Sequence, residues 1–278
     1  MCRMTRTRKP KMHEWRSYDP VAAAYDRIKA PLFTLPARDL VAMLGLPPGG
    51  LALDIGTGTG VAALPALKAV GSEGVVVGLD PSLEMLRLAQ GKGVSQLVAG
   101  EVPGLPFPDG TFDGMLANFV LSHFTRYETA LFDMVRVLRP GGKLGVTAWG
   151  TSQSKFSQVW RDIAESFVSK DLLRDAVRQA IPWEEWFSDP VHLREALQDA
   201  GLISLYVGRR EYRVTMSVAD YLSNRENSMK ARFMRQMLDE AQWEQFRERV
   251  TAEFRSRFRD PSEYTNDAYL SVGIKPYA

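Results

Sequence analysis

The chain is poor in the residues that staple or ligate. Among 278 residues there is one cysteine, Cys2, and there are three histidines, His13, His123 and His192, far apart in sequence. A single cysteine excludes an intrachain disulfide and a cysteine-built metal site, and the scattered histidines form no ligand cluster, so no metal is expected. The same scarcity makes a reducing cytoplasm the expected setting. No apolar run approaches the roughly 18 residues of a membrane span. A net excess of either charge is lacking too, with 35 basic against 33 acidic residues. The formal net charge is +2, yet residues 1–12 carry five cations and no acid, which leaves the other 266 residues at −3. A nucleic-acid binder concentrates basic charge on its folded body. Here the excess sits on what reads as a short, basic, flexible leader, so no nucleic-acid partner is expected.

What is present is the material of one well-filled core: 45% apolar, 10% aromatic and 24% charged residues. From Leu51 onward, short apolar strands alternate with helical patterns. The strands are Leu51–Ile55, Val75–Leu79, Gln96–Ala99, Phe112–Phe119 and Lys143–Trp149. Helices lie between them, near 61–70, 81–90 and 125–138, the last closed by Arg139-Pro-Gly-Gly142. Residues 13–45 read as helices broken at Pro20, Pro31 and Pro36. After Trp149 the rhythm changes: helical stretches near 153–180, 190–200 and 217–259 surround two late strands near 202–216 and 264–274. The expected fold is an α/β, Rossmann-like, doubly wound, mostly parallel seven-stranded sheet. It forms a single domain over 13–278. Its core covers about 13–150 plus the late strands, and a helical cap is inserted at about 151–200 and 217–260.

The strongest chemical signal is Leu53-Asp-Ile-Gly-Thr-Gly-Thr-Gly60. Glycines after a strand let the backbone turn tightly against a ligand, and the following helix aims its amide dipoles at the loop. The Gly56, Gly58, Gly60 spacing is not the Gly-x-Gly-x-x-Gly of a dinucleotide site, which disfavours a nicotinamide oxidoreductase. Asp80 ends the second strand 20 residues after Gly60, where a carboxylate can accept both hydroxyls of a ribose. Gly100-Glu101-Val102 follows the third strand and Asn118-Phe119 ends the fourth, so these loops converge on one crevice.

With Tyr18-Asp-x-x-Ala-x-x-Tyr25-Asp26, Gly78-Leu-Asp80, Leu105-Pro-Phe-Pro-Asp-Gly-Thr-Phe-Asp113 and Leu138-Arg-Pro-Gly-Gly142, the chain resembles the class I S-adenosylmethionine-dependent methyltransferases, nearest to the quinone-biosynthesis and small-molecule group. The resemblance covers about residues 18–150. It implies S-adenosyl-L-methionine as cofactor and S-adenosyl-L-homocysteine as product. It places Gly56, Gly58 and Gly60 around the methionine part, Asp54 at the loop or the amino group, and Asp80, beside Pro81, at the ribose. Glu101 and Val102 fall at the adenine, Asn118 and Phe119 along the cofactor, and Tyr18 and Tyr25 over it. Pro103 stands where relatives often carry a second acid.

His123, just after the fourth strand, is the candidate base by location, with an ordinary pKa suited to the task. Trp149, Trp183 and Tyr221 are candidate walls of an apolar or aromatic acceptor pocket. The expected reaction is in-line transfer of a methyl group to a small molecule, an oxygen or carbon nucleophile being favoured over nitrogen, mainly through positioning. Two other readings stand beside it. One is a cyclase-like or regulatory protein that uses the sulfonium only as a charge. The other is a nucleic-acid or protein methyltransferase, which Asn118-Phe-Val-Leu disfavours because it lacks the paired prolines of such enzymes. The protein is expected to be a monomer or homodimer with no membrane span.

Overall fold

The computed structural model describes residues 17–151 and 154–277. The basic leader, Cys2 and His13 lie outside them. A helical turn, α1 (Ala22–Ala24), leads through a π-helical turn at Tyr25–Lys29 into α2 (Ala30–Leu44). The alternation then runs β1 (Leu51–Ile55), α3 (Ala63–Val70), β2 (Val75–Asp80), α4 (Leu83–Gly91), β3 (Gln96–Ala99), β4 (Phe112–Asn118), α5 (Tyr127–Val137) and β5 (Leu138–Trp149). Next come α6 (Lys155–Phe167), α7 (Lys170–Ala180), α8 (Glu184–Phe187), α9 (Pro190–Asp199) and β6 (Ile203–Met216). The chain ends with α10 (Val218–Glu226), α11 (Met229–Met237), α12 (Glu240–Arg257) and β7 (Ser262–Ile274).

The strands form one seven-stranded sheet in the order β3-β2-β1-β4-β5-β7-β6. Strands β1 to β5 are parallel, and β7 runs antiparallel to both β5 and β6. The order reverses at β1, which has β2 on one side and β4 on the other. At such a point the loops leaving neighbouring strands part to opposite faces and open a crevice at the carboxyl ends. One face is covered by α2 and α3, through Leu40, Val41, Leu44, Ala63 and Ala66. The other is covered by α5 and α9, through Leu131, Met134, Leu193 and Leu197. The helix α2 lies close because β5 has no side chain at Gly145, where a Cβ would come 3.1 Å from both Leu40 and Leu44.

Several boundaries differ from the sequence expectation. Pro31 and Pro36 do not break α2. Pro31 sits in its first turn, where a missing N–H loses no helical bond. Pro36 is held within a face whose Ala37, Leu40 and Leu44 are fully buried. The wide turn just before is where the chain adjusts: the Ala30 N–H bonds to Tyr25, five residues back. Arg139-Pro-Gly-Gly142 forms the irregular start of β5, with a shift between the Phe112–Leu138 and Gly114–Lys143 pairs. The stretch 217–259 is three helices, because Ser217, Ser228 and Asp239 each accept the backbone N–H three residues on and so start a helix afresh. The helix α9, expected in the cap, packs on the sheet instead, since Leu193, Ala196 and Leu197 share one face and join its core.

The cap has its own apolar cluster, in which Phe156, Trp160, Tyr221, Phe246 and Phe254 meet. It joins α6, which follows β5, to the helices carried on the β6–β7 hairpin. Strand β7 pairs with β5 only from Ala268 to Ile274, but with β6 as far as Ser262. The hairpin therefore projects beyond the parallel strands and bears α10 to α12 at its tip.

The Leu105–Asp113 motif works as a clamp. Arg136 on α5 donates to the Phe107 and Leu105 carbonyls at 2.8 and 3.1 Å and to Asp109 and Asp133 at 2.7 Å each. Asp133 accepts the Leu105 N–H at 2.8 Å, and Asp113 accepts the Leu51 N–H at 2.6 Å. Replacing Arg136 with Met strands the Leu105 and Phe107 carbonyls and leaves Asp133 only its backbone donors. The expected loss is about 1–2 kcal/mol of unfolding free energy, read by urea titration.

Candidate functional site

The carboxyl ends of β1, β2, β4 and β5 open into a cavity of about 460 Å³, roofed by α7, α8, α10 and α11. That volume falls within the ~300–1,000 Å³ range of small-molecule sites. Its floor is the loop after β1. Gly56 and Gly58 have φ of 63° and 54°, in the left-handed region that L side chains rarely adopt. A Cβ on Gly56 would collide with Val120. One on Gly58 would meet only the Gly56 carbonyl at 4.0 Å, so the Gly58 backbone faces the cavity bare. Gly60 instead packs towards Ala89 and Val94.

Two carboxylates hold this loop, from below and from the side. Asp54 lies beneath it and accepts the Thr57 hydroxyl at 2.7 Å; burial lifts its pKa to about 7. Asp80, 8% exposed, lies on the cavity wall. It accepts the Gly58 N–H and the Ser82 N–H, both at 2.9 Å, and burial raises its pKa. The Ser82 hydroxyl bonds to Asp19, which brings the segment bearing Tyr18 against the start of α4.

A row of rings forms another wall. Tyr18 meets Tyr25 edge-on at 5.9 Å, Tyr25 stacks on Phe33 at 5.8 Å, and Phe33 leans on Phe119 at 5.2 Å. Phe119 stacks on Trp149 at 4.0 Å. Phe119 holds a left-handed backbone, φ 57°, while its N–H donates to the Thr147 hydroxyl at 2.8 Å. That hydroxyl in turn bonds to the Asn118 side chain at 2.9 Å. The ring of His123 meets Tyr18 at 5.9 Å. Burial, aided by the charge of Lys29, pushes its pKa down to about 4, so the imidazole is neutral at pH 7.

The sequence-predicted residues thus divide. Tyr18, Tyr25, Gly56, Gly58, Asp80 and Pro81 line the cavity. So do Asn118, Phe119, His123, Trp149 and Tyr221. Asp54 and Gly60 shape the loop from behind. Glu101 is exposed and Val102 packs against the sheet core, so neither reaches the cavity. Trp183 turns onto the sheet core and meets Tyr127 at 4.7 Å; its neighbour Glu184 takes the place on the cavity wall. Sequence reasoning also missed Lys29, Phe33, Arg225 and Lys230, which line the cavity but belong to no motif. Only Lys29 left a trace, four residues after Tyr25 and so on the same side of a helical turn. Among the described residues no group of His, Cys, Asp or Glu could hold a metal, and no helix is long and apolar enough to cross a membrane.

Residues 53–146 match the model of a methyltransferase domain. The chain is 39% identical over 179 residues to a demethylmenaquinone methyltransferase of Bacillus licheniformis, covering 58% of this chain and 73% of that one. It is 31% identical over 223 residues to a demethylmenaquinone methyltransferase of Listeria monocytogenes, covering 71% and 90%. It is also 35% identical over 155 residues to a ubiquinone/menaquinone biosynthesis C-methyltransferase of Marinomonas, covering 51% of this chain and 62% of that relative. Two solved structures share the fold at low identity. One is a phosphoethanolamine N-methyltransferase of Haemonchus contortus, with TM-score 0.57 and 17% identity over 96% of this chain and 61% of that one. The other is the cyclase SpnF, with TM-score 0.54 and 19% identity over 94% and 95%. The glycine loop under the cavity, the Asp80 carboxylate beside it and the identity to these relatives lead to one conclusion: the chain belongs to the class I S-adenosylmethionine-dependent methyltransferases, in the group of the quinone-biosynthesis enzymes.

Proposed function

We propose that the protein moves a methyl group from S-adenosylmethionine to a small acceptor with an apolar or aromatic body, at an oxygen or carbon nucleophile. The observation that carries this reading is a single cavity with two unlike ends. Bare glycine backbone and Asp80 lie at one, and the Phe33, Phe119 and Trp149 rings lie beside it. The relatives named for demethylmenaquinone methylation favour an aromatic, quinol-like acceptor. The lone cysteine and the acidic body fit a cytoplasmic enzyme without a nucleic-acid partner, active as a monomer or homodimer.

The residues fit the cofactor. The Gly58 backbone leaves room for the methionine part, and Asp80 keeps acceptor capacity for ribose hydroxyls after taking two backbone N–H groups. Tyr18 and Tyr25 cover the same end. When bound, the cofactor supplies an electrophilic methyl group on a sulfonium. The chain contributes placement: the stacked Phe119 and Trp149 rings orient a flat acceptor and keep water out, and correct placement alone is worth several kcal/mol. His123 is neutral and can accept a proton, but a pKa near 4 gives it little driving force as a base. It acts chiefly as a wall.

Three outcomes are expected. Asp80→Ala weakens S-adenosylmethionine binding by about 1–3 kcal/mol, measured by titration calorimetry; unchanged affinity removes the ribose assignment. Incubation with an acceptor panel of phenols and quinols yields S-adenosylhomocysteine with at least one of them. Acceptor conversion without S-adenosylhomocysteine would show cyclase-like chemistry instead. The third concerns pH. Because the folded-state pKa of His123 lies below its ordinary 6.5, the stability tied to the neutral ring is complete above pH 6.5 and drains away as pH falls towards 4. His123→Phe is expected to flatten the pH dependence of the unfolding midpoint in that window and to keep the reaction rate within about tenfold of wild type, less than a general base contributes.

A further inference from the structure

The cap end of the cavity carries charges that methyl transfer itself leaves unused. Lys29 enters from the π-helical turn, Arg225 from α10 and Lys230 from the first turn of α11, and Glu184 at the start of α8 is the carboxylate among them. Each lysine feels Glu184 and Arg225, and Glu184 feels all three cations. The two other carboxylates on the cavity wall are engaged elsewhere: Asp267 with Arg209 at 2.6 Å, and Asp80 with the glycine loop. Among the described residues Lys29, Arg225 and Lys230 form no ion pair. The Arg225 guanidinium lies over Trp160 at 4.4 Å, and its Nε is buried without a hydrogen-bond partner. Burial pushes the Lys29 pKa down to about 8, lowers that of Lys230 and raises that of Glu184. On the cavity wall three cations therefore face one carboxylate, all four residues being partly buried; Glu165 and Arg161 also act on Lys230, and Arg232 on Lys29. Such an excess is unfavourable, because partly desolvated like charges repel one another. A neutral acceptor would leave the excess in place, and the cofactor's sulfonium would add to it.

We propose that the acceptor is an anion, an aromatic or apolar body bearing a carboxylate that Lys29, Arg225 and Lys230 hold at the cap end of the cavity. The planar guanidinium matches a carboxylate in shape. Glu184 orients the lysines between ligands. The Phe33, Phe119 and Trp149 rings line the same cavity, so the anion anchors one end of the acceptor while its other end meets the methyl group. The proposal rests on the methyltransferase reading and narrows its substrate class.

The test uses the full chain loaded with S-adenosylhomocysteine and a matched pair of probes, 4-hydroxybenzoate and 4-hydroxybenzamide, followed by calorimetry. The acid is expected to bind at least tenfold more tightly than the amide. Lys29→Met and Arg225→Met should each reduce that preference by tenfold or more with S-adenosylhomocysteine affinity unchanged. Lys230→Gln, at a partly exposed position, repeats the test if either variant fails to fold. Equal binding of the two probes, or an acid preference that survives the substitutions, overturns the proposal. Failure of the wild type to bind S-adenosylhomocysteine overturns the methyltransferase reading instead, and the acid–amide comparison is then read on the cofactor-free protein.

Discussion

The Asp80 carboxylate is the joint on which the site turns. It ends β2, yet it takes one N–H from the glycine loop after β1 and another from the first turn towards α4. Two strand ends are thereby fixed at one spacing, and the bare backbone of Gly58 is held towards the cavity. The cost is a desolvated carboxylate, which the two charge-assisted hydrogen bonds reduce without cancelling, so the Asp80 pKa stays raised. Ser82 extends the joint to Asp19 and so to the segment that brings Tyr18 to the cavity wall. Loop, strand and amino-terminal segment meet around a single side chain.

The parallel sheet and the glycine loop could be read from the sequence because their causes are local. An apolar strand followed by closely spaced glycines has few structural solutions, and Asp80 is recognisable by its distance from Gly60. The motif at 105–113 was legible as a pattern but not as a purpose: its residues serve Arg136 and the β1–β4 contact rather than the ligand. The choice between Trp183 and Glu184 was not legible at all. It depends on which face of a four-residue helix packs on the sheet, and neither periodicity nor composition sets that over so short a span. The charges of Lys29, Arg225 and Lys230 likewise meet only because the π-helical turn and two cap helices converge, a relation no linear spacing carries.

The two ends of the cavity are built on opposite electrostatic terms. At the glycine-loop end, Asp80 takes two backbone N–H groups and Asp54 the Thr57 hydroxyl, while Asp54 Oδ1 stays buried without a partner. At the cap end, cations outnumber their partners and burial strains them. The packed rings of Phe33, Phe119 and Trp149 line the same cavity. A ligand that spans the cavity must therefore change character along its length, and that requirement selects for orientation as well as for size.

The projecting β6–β7 hairpin has a consequence for how such a molecule diversifies. The apolar cluster of the cap shares no residue with either cluster flanking the sheet. Effects of substitutions in non-touching clusters add nearly independently. Substitutions in α10 to α12 at the hairpin tip can thus accumulate with little effect on the glycine loop at the floor of the cavity.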